Sequence, residues 1–246
     1  MSAPALPWCA DADPYAEALR AGRGPLFLRR ADGWLLPLEV ERWCRGADSG
    51  DMSVLRLCAG AVLDIGCGPG RLVAALSRMG LPVLGVDTSP VAVSRTRRMG
   101  GAALKRSVFA PLPGEGRWQC ALLLDGNIGI GGDPVALLDR VRELLAPEGR
   151  LYVEAASVEV EERIEVRLDD GTGGYGSAFP WARLGRSALR EAAVGAGWSV
   201  VCEWRYQERP FLCLRPVAVK RAGLGEQSGG RRITASSGRA GLHTDG

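Results

Sequence analysis

The chain has 246 residues, room for one α/β domain with a cap, and its 46% hydrophobic and 24% charged content is ordinary for a globular enzyme. Its net charge of +3 comes from residues 220–246, so residues 1–219 balance at 26 basic and 26 acidic side chains. That balance leaves no basic stripe for a phosphate backbone, which argues against DNA or RNA partners.

Seven cysteines follow no CxxC spacing, and the N-terminal residues lack a basic, apolar leader pattern, so reduced thiols and a cytoplasmic location are expected. No stretch reaches the roughly 18 apolar residues of a membrane span. The sole histidine is His243, which speaks against histidine-held metals and histidine-based triads; no metal is expected.

Taken in chain order, residues 1–58 read as a cap region: a short helix over 14–21, a hairpin of 25–30 with 34–38 around Asp32-Gly33, and a helical turn over 39–45. A regular pattern begins at Gly60. Residues 61–65 form a buried strand, and 71–79 a helix with Leu72, Ala75, Leu76 and Met79 on one face. A second strand over 82–86 ends at Asp87. Ser89 and Pro90 then open a helix reaching about Arg98. Residues 102–105 and 120–124 give a weak third and a strong fourth strand. A glycine-rich loop, a helix over 134–145 and a fifth strand over 151–155 follow.

Such alternation predicts a parallel sheet with crossover helices. Beyond it, 159–168 alternates as an exposed strand would, 170–176 is a glycine-rich loop, and 187–196 is a helix. Residues 198–206 and 211–214 close the domain as a hairpin. Residues 59–219 are thus expected to form the main domain, and 220–246, poor in apolar residues, a disordered tail.

The segment Val62-Leu63-Asp64-Ile65-Gly66-Cys67-Gly68-Pro69-Gly70 sits between a strand and a helix. Glycines there permit a sharp turn and bring free N–H groups toward a ligand. Asp87, at the end of the next strand, is placed to accept the hydroxyls of an adenosyl ribose. A nicotinamide fingerprint needs glycine or alanine where this chain has Arg71. Asp64, just before the loop, suits a cationic ligand better than a pyrophosphate.

Leu63-Asp64-Ile65-Gly66-Cys67-Gly68-Pro69-Gly70 resembles the first motif of class I S-adenosylmethionine-dependent methyltransferases, and Gly85-Val86-Asp87-Thr88-Ser89 is similar to their second. The resemblance implies a doubly wound, Rossmann-like, seven-stranded, mostly parallel α/β sheet of order 3-2-1-4-5-7-6, its last strand antiparallel. It also implies S-adenosylmethionine as cofactor. Asp64 with Gly66, Cys67, Gly68 and Gly70 would hold its amino-acid end, and Asp87 with Thr88 its ribose. The usual third motif places an acid near the adenine; here Ser107 stands in that position, followed by Val108, whose amide could serve the ring.

The second glycine loop runs Asp125-Gly126-Asn127-Ile128-Gly129-Ile130-Gly131-Gly132, with Asp133 and Pro134 as helix cap and first position. In the implied sheet order both loops open into one crevice, where Asp125 and Asn127 are placed to touch cofactor or acceptor. The loop lacks the Asp/Asn-Pro-Pro-aromatic pattern of amino-methylating enzymes that act on macromolecules, so a small-molecule acceptor is expected. A hydroxyl acceptor would need a base, for which Asp125, Glu154 and Tyr175 are the candidates. Tyr15, Trp34, Phe179 and Trp181 are candidates for an apolar pocket, with Tyr15, Tyr175 and Trp181 toward substrate. Two alternatives stay open: a cofactor-binding regulatory protein without catalysis, and an NAD(P)-dependent oxidoreductase.

Overall fold

A computed structural model describes residues 13–217; the tail expected over 220–246, with His243, lies outside the described residues. The chain begins with helix α1 (Pro14–Ala21), capped by Asp13, whose side chain accepts the Tyr15 N–H, and closed by Gly22 at φ 71°. Strands β1 (Phe27–Arg30) and β2 (Leu35–Pro37) form the hairpin anticipated around Gly33. Helices α2 (Val40–Cys44) and α3 (Ser49–Leu55) follow. The sequence reading did not anticipate α3. Its start is a reciprocal cap in which Asp48 and Asp51 each accept the other's N–H.

The alternating segment is β3 (Val62–Ile65), α4 (Arg71–Arg78), β4 (Val83–Asp87), α5 (Pro90–Arg98), β5 (Ala103–Lys105), β6 (Trp118–Leu123), α6 (Pro134–Leu144) and β7 (Leu145–Glu154). Ser89 caps α5 and Asp133 caps α6, each followed by proline at the first turn. All of β3 is buried, consistent with helices covering both faces of a parallel sheet. After β8 (Glu161–Asp169), β9 (Phe179–Leu184) and α7 (Arg186–Gly195), strands β10 (Trp198–Tyr206) and β11 (Arg209–Pro216) complete the sheet.

The seven-stranded sheet runs β10-β11-β7-β6-β3-β4-β5, which by order of appearance is 3-2-1-4-5-7-6. Only β11 runs against its neighbours, antiparallel to both β7 and β10. Leu63, Leu123, Leu138, Val153 and Leu212 meet on one face and Leu72, Leu76, Leu122 and Tyr152 on the other. Each such fully buried side chain contributes about 1.5–3 kcal/mol.

A second, antiparallel sheet of order β2-β1-β8-β9 forms the cap. It joins segments far apart in the chain: Leu28 of β1 pairs with Leu168 of β8. The strand expected over 159–168 alternates as expected, with Glu161, Arg163, Glu165 and Arg167 exposed, but its other face turns into the cap. Val166 and Leu168 are buried against Leu19 of α1 and Leu28. Strand β9, which the sequence reading missed, lies along the second glycine loop, with Ile130 bridged to Trp181. Among the described residues no helix is long and apolar enough to cross a membrane.

Candidate active site

At the end of β3 the chain turns through Gly66, Gly68 and Gly70, with φ of 71°, 53° and 91°, which side chains rarely tolerate. Close packing adds a second reason at two of them. A Cβ on Gly66 would lie 2.7 Å from Asn127 Nδ2, and one on Gly70 would lie 2.5 Å from Thr96 Oγ1. Gly66 and Cys67 donate their N–H groups to Val86 O, and Thr96 Oγ1 donates to Gly68 O at 3.1 Å. Asn127 Nδ2 donates to Ile65 O and Gly66 O at 2.9 and 3.0 Å, so the second loop clamps the first.

Asp87 ends β4 beside this turn. Its Oδ2 accepts the Gly68 N–H at 2.9 Å and its Oδ1 the Ser89 N–H at 2.8 Å. A carboxylate offers about four lone-pair directions, so two remain for further donors. Burial pushes its pKa up to about 6 against the pull of the Ser89, Gly68 and Thr88 amides. Asp64 lies beneath the loop, 1% exposed, and its Oδ2 has no hydrogen-bond partner among the described residues. Burial pushes that carboxyl up to about 7, although Arg71 pulls the other way.

A cavity of about 1040 Å3, counting its open mouth, lies at the carboxyl ends of the parallel strands. That is the upper end of the roughly 300–1,000 Å3 usual for small-molecule sites. Gly66, Cys67, Gly68, Asp87 and Thr88 line one side, with Ser107 and Val108 beyond them. Asp125 and Asn127 line it from the second loop, and Tyr15, Trp43, Phe179 and Trp181 from the cap. The Tyr15 hydroxyl would stand 3.4 Å from a Cβ on Gly68. Ser107 Oγ accepts the Phe109 N–H.

Five residues singled out from sequence do not line the cavity. Asp64 and Gly70 support the loop from behind. Glu154 is turned toward Arg209, Tyr175 is 50% exposed beneath the Arg29 guanidinium, and Trp34 packs against the guanidinium groups of Arg30 and Arg183.

Asp125 and Glu154 belong to an arginine network. Asp125, at φ 58°, adopts a left-handed backbone that Asp tolerates better than most residues. Its carboxylate receives Arg71 Nη1 and Arg42 Nη2, both at 2.6 Å. Arg71 also binds Asp51 through Nε at 2.8 Å. Glu154 receives Arg209 Nε and Nη2 at 2.7 and 2.9 Å, and accepts the Asp125 N–H at 2.9 Å. Burial works to raise the pKa of Asp125 and of Asp51, but the arginines outweigh it: Asp125 lies below its ordinary value and Asp51 at about 2. Sequence reasoning missed Arg42, Asp51 and Arg209. Only the Asp48/Asp51 spacing ahead of α3 carried any signal of this network, and nothing marked Arg42 or Arg209.

Two glycine loops meet at a topological switch point, with a carboxylate at the end of the next strand, where open α/β sheets bind their ligands. A family model described as a methyltransferase domain matches residues 48–203, and the chain belongs to that family.

The fold is similar to that of a SAM-dependent methyltransferase from Bacteroides fragilis solved with S-adenosyl-L-homocysteine. Identity is 20%, covering 85% of this chain and 97% of that one, with a TM-score of 0.70. It is also similar to 1,6-didemethyltoxoflavin-N1-methyltransferase from Burkholderia thailandensis, at 20% identity over 69% of this chain and 78% of that one, with a TM-score of 0.52. The CcbJ methyltransferase from Streptomyces caelestis matches at 17% identity over 68% and 94% of the two chains, with a TM-score of 0.51. Among curated proteins none matches the chain.

Proposed function

We propose that the protein uses S-adenosylmethionine to methylate a small-molecule acceptor, by holding the reactants in line rather than by acid–base chemistry. The observation that carries this is Asp87, which faces the cavity and is tied by its Oδ2 to the Gly68 N–H, so that one ligand can touch carboxylate and loop together. The residues fit the cofactor. Asp87 retains two acceptor directions for a ribose diol. Asp64 is a buried carboxyl with an unpartnered oxygen beneath the loop, and a cation above it would favour its ionised form. Ser107 and Val108 line the same cavity, which supports their meeting the adenine.

When bound, the cofactor supplies a sulfonium methyl, an electrophile that needs no further activation. The residues of this chain then have to orient and to exclude water. Asn127 fixes the turn, and Asp125, held by Arg71 and Arg42, is an anchored anion and a poor proton acceptor. Glu154, bound by two Arg209 nitrogens, is no better placed as a base. The Burkholderia neighbour carries a small-molecule acceptor in its structure, which supports a small acceptor here. Reduced thiols make the cytoplasm the expected compartment.

Calorimetry of the full chain against S-adenosylmethionine, S-adenosylhomocysteine and NADPH tests the cofactor, and transfer of labelled methyl to a metabolite panel tests turnover. The expected result is binding of the two adenosyl ligands, weak or no binding of NADPH, and label in a small product. Preferential NADPH binding would overturn the proposal.

A further inference from the structure

The cap side of the cavity is built from rings. Tyr15 of α1 and Trp43 of α2 pack edge to face, with centroids 6.3 Å apart at 65°. Phe179 and Trp181 of β9 do the same at 6.1 Å and 87°. All four line the cavity, together with the aliphatic Leu28 and Leu38. Trp181 is also fixed from behind: a Cβ on Gly129 would lie 2.7 Å from its ring, and Ile130 bridges its backbone. Rings held in this way favour another ring, edge to face or offset.

The titratable groups among the described lining residues are Tyr15, Cys67, Arg71, Asp87, Arg106 and Asp125. Arg71 and Asp125 neutralise each other, and Asp87 lies on the loop side, tied to the Gly68 and Ser89 amides. Arg106 is directed to Pro111 O. Burial keeps Tyr15 and Cys67 protonated. Among the described cap-side lining residues none is a counter-ion for a charged acceptor, and none is a base that could take a proton from its nucleophile.

We propose that the acceptor is an uncharged aromatic compound whose nucleophile is a nitrogen already unprotonated at neutral pH, either a ring nitrogen or an arylamine. The inference rests on the methyltransferase reading above. A box of rings also attracts an ammonium. An alkylamine, however, has a pKa of about 10 and arrives without a lone pair. A phenol has the lone pairs but must shed its proton to become a strong nucleophile. With an aromatic nitrogen, the lone pair forms the N–CH3 bond as the S–CH3 bond breaks, its electron pair staying on sulfur. Where the methylated nitrogen carries a proton, that proton is acidic and leaves to water.

The test is methylation by the full chain of benzimidazole and anthranilamide against phenol, cyclohexylamine and benzoate, each with labelled S-adenosylmethionine. The two nitrogen aromatics are expected to react at least about tenfold faster, with a rate at saturating S-adenosylmethionine that is flat from about pH 6.5 to 8.5. Trp181→Leu is expected to raise the acceptor KM about tenfold and leave the S-adenosylmethionine Kd unchanged. Equal losses in both constants would mean a merely structural role and would contradict the assignment. Faster reaction of phenol or cyclohexylamine, or a rate climbing with pH, overturns the proposal. Cofactor binding without methylation of either nitrogen aromatic overturns it as well and leaves the cofactor reading standing. Failure to bind S-adenosylmethionine overturns both.

Discussion

Arg71 Nη1 lies 2.6 Å from Asp125 Oδ2, joining the helix that follows the first glycine loop to the start of the second. Arg71 is 3% exposed and also holds Asp51, so this contact ties α3 and both loops into one frame around the cavity. A buried pair of this kind gives little net stability, but removing one partner strands the other charge.

Arg71→Met is therefore expected to cost up to about 3 kcal/mol in urea denaturation, because Asp51 and Asp125 lose their shared partner and keep only Arg209 and Arg42. Adding Asp125→Asn to Arg71→Met should recover part of that loss. A double variant no more stable than Arg71→Met would show that the Asp125 charge is not what the arginine compensates.

The carboxyls carry opposite signs of pH dependence. Asp51 lies at about 2 when folded, below its ordinary value of 3.8, so its stabilisation is present above pH 4 and is lost as pH falls toward 2. Asp64 and Asp87 are raised to about 7 and about 6, so the folded state holds protons that the unfolded state has released. Their effect is to lower stability as pH rises from about 4 to 7. The thermal midpoint of the unliganded protein should thus be highest near pH 4 and fall toward pH 7. A cationic ligand beside Asp64 should release a proton, visible near pH 7 as a calorimetric heat that depends on buffer ionisation.

Gly66→Ala should destabilise by about 1–2 kcal/mol, since the new Cβ meets Asn127 Nδ2 at 2.7 Å and φ is 71°. Combining it with Asn127→Ala removes the clash, so the double variant should lose less than the sum of the two single losses. Asn127→Ala alone gives up two hydrogen bonds to the turn, each worth about 0.5–1.5 kcal/mol, and should weaken S-adenosylmethionine binding several-fold. Unchanged affinity in that variant would mean that the clamp does not shape the cofactor site.

The crossover units were legible because each is local: a continuous apolar strand, a glycine or Asp-Pro punctuation, and an amphipathic helix. Ser89-Pro90 and Asp133-Pro134 marked helix starts that the structure reproduces. The hairpin of the cap and its 159–168 strand were legible but their joining was not, since β1 finds β8 more than a hundred residues away and no local pattern names that partner. Helix α3 escaped because its capping box uses Asp51 where Glu or Gln is the usual signal. No local pattern marks Arg42 or Arg209, and only tertiary packing brings them to Asp125 and Glu154. The glycines of the first loop were read as room for a ligand. At Gly66 and Gly70 the closest demand comes from Asn127 and Thr96.

The central claim is that Asp87 and the first glycine loop hold the ribose end of S-adenosylmethionine. Calorimetric titration of the wild type and of Asp87→Asn with S-adenosylmethionine, with thermal midpoints as a check on folding, tests it most directly. A folded variant should bind at least about tenfold more weakly, the loss expected from one charge-assisted hydrogen bond of about 1.5–3 kcal/mol. A folded Asp87→Asn protein that binds S-adenosylmethionine as tightly as the wild type would contradict the account.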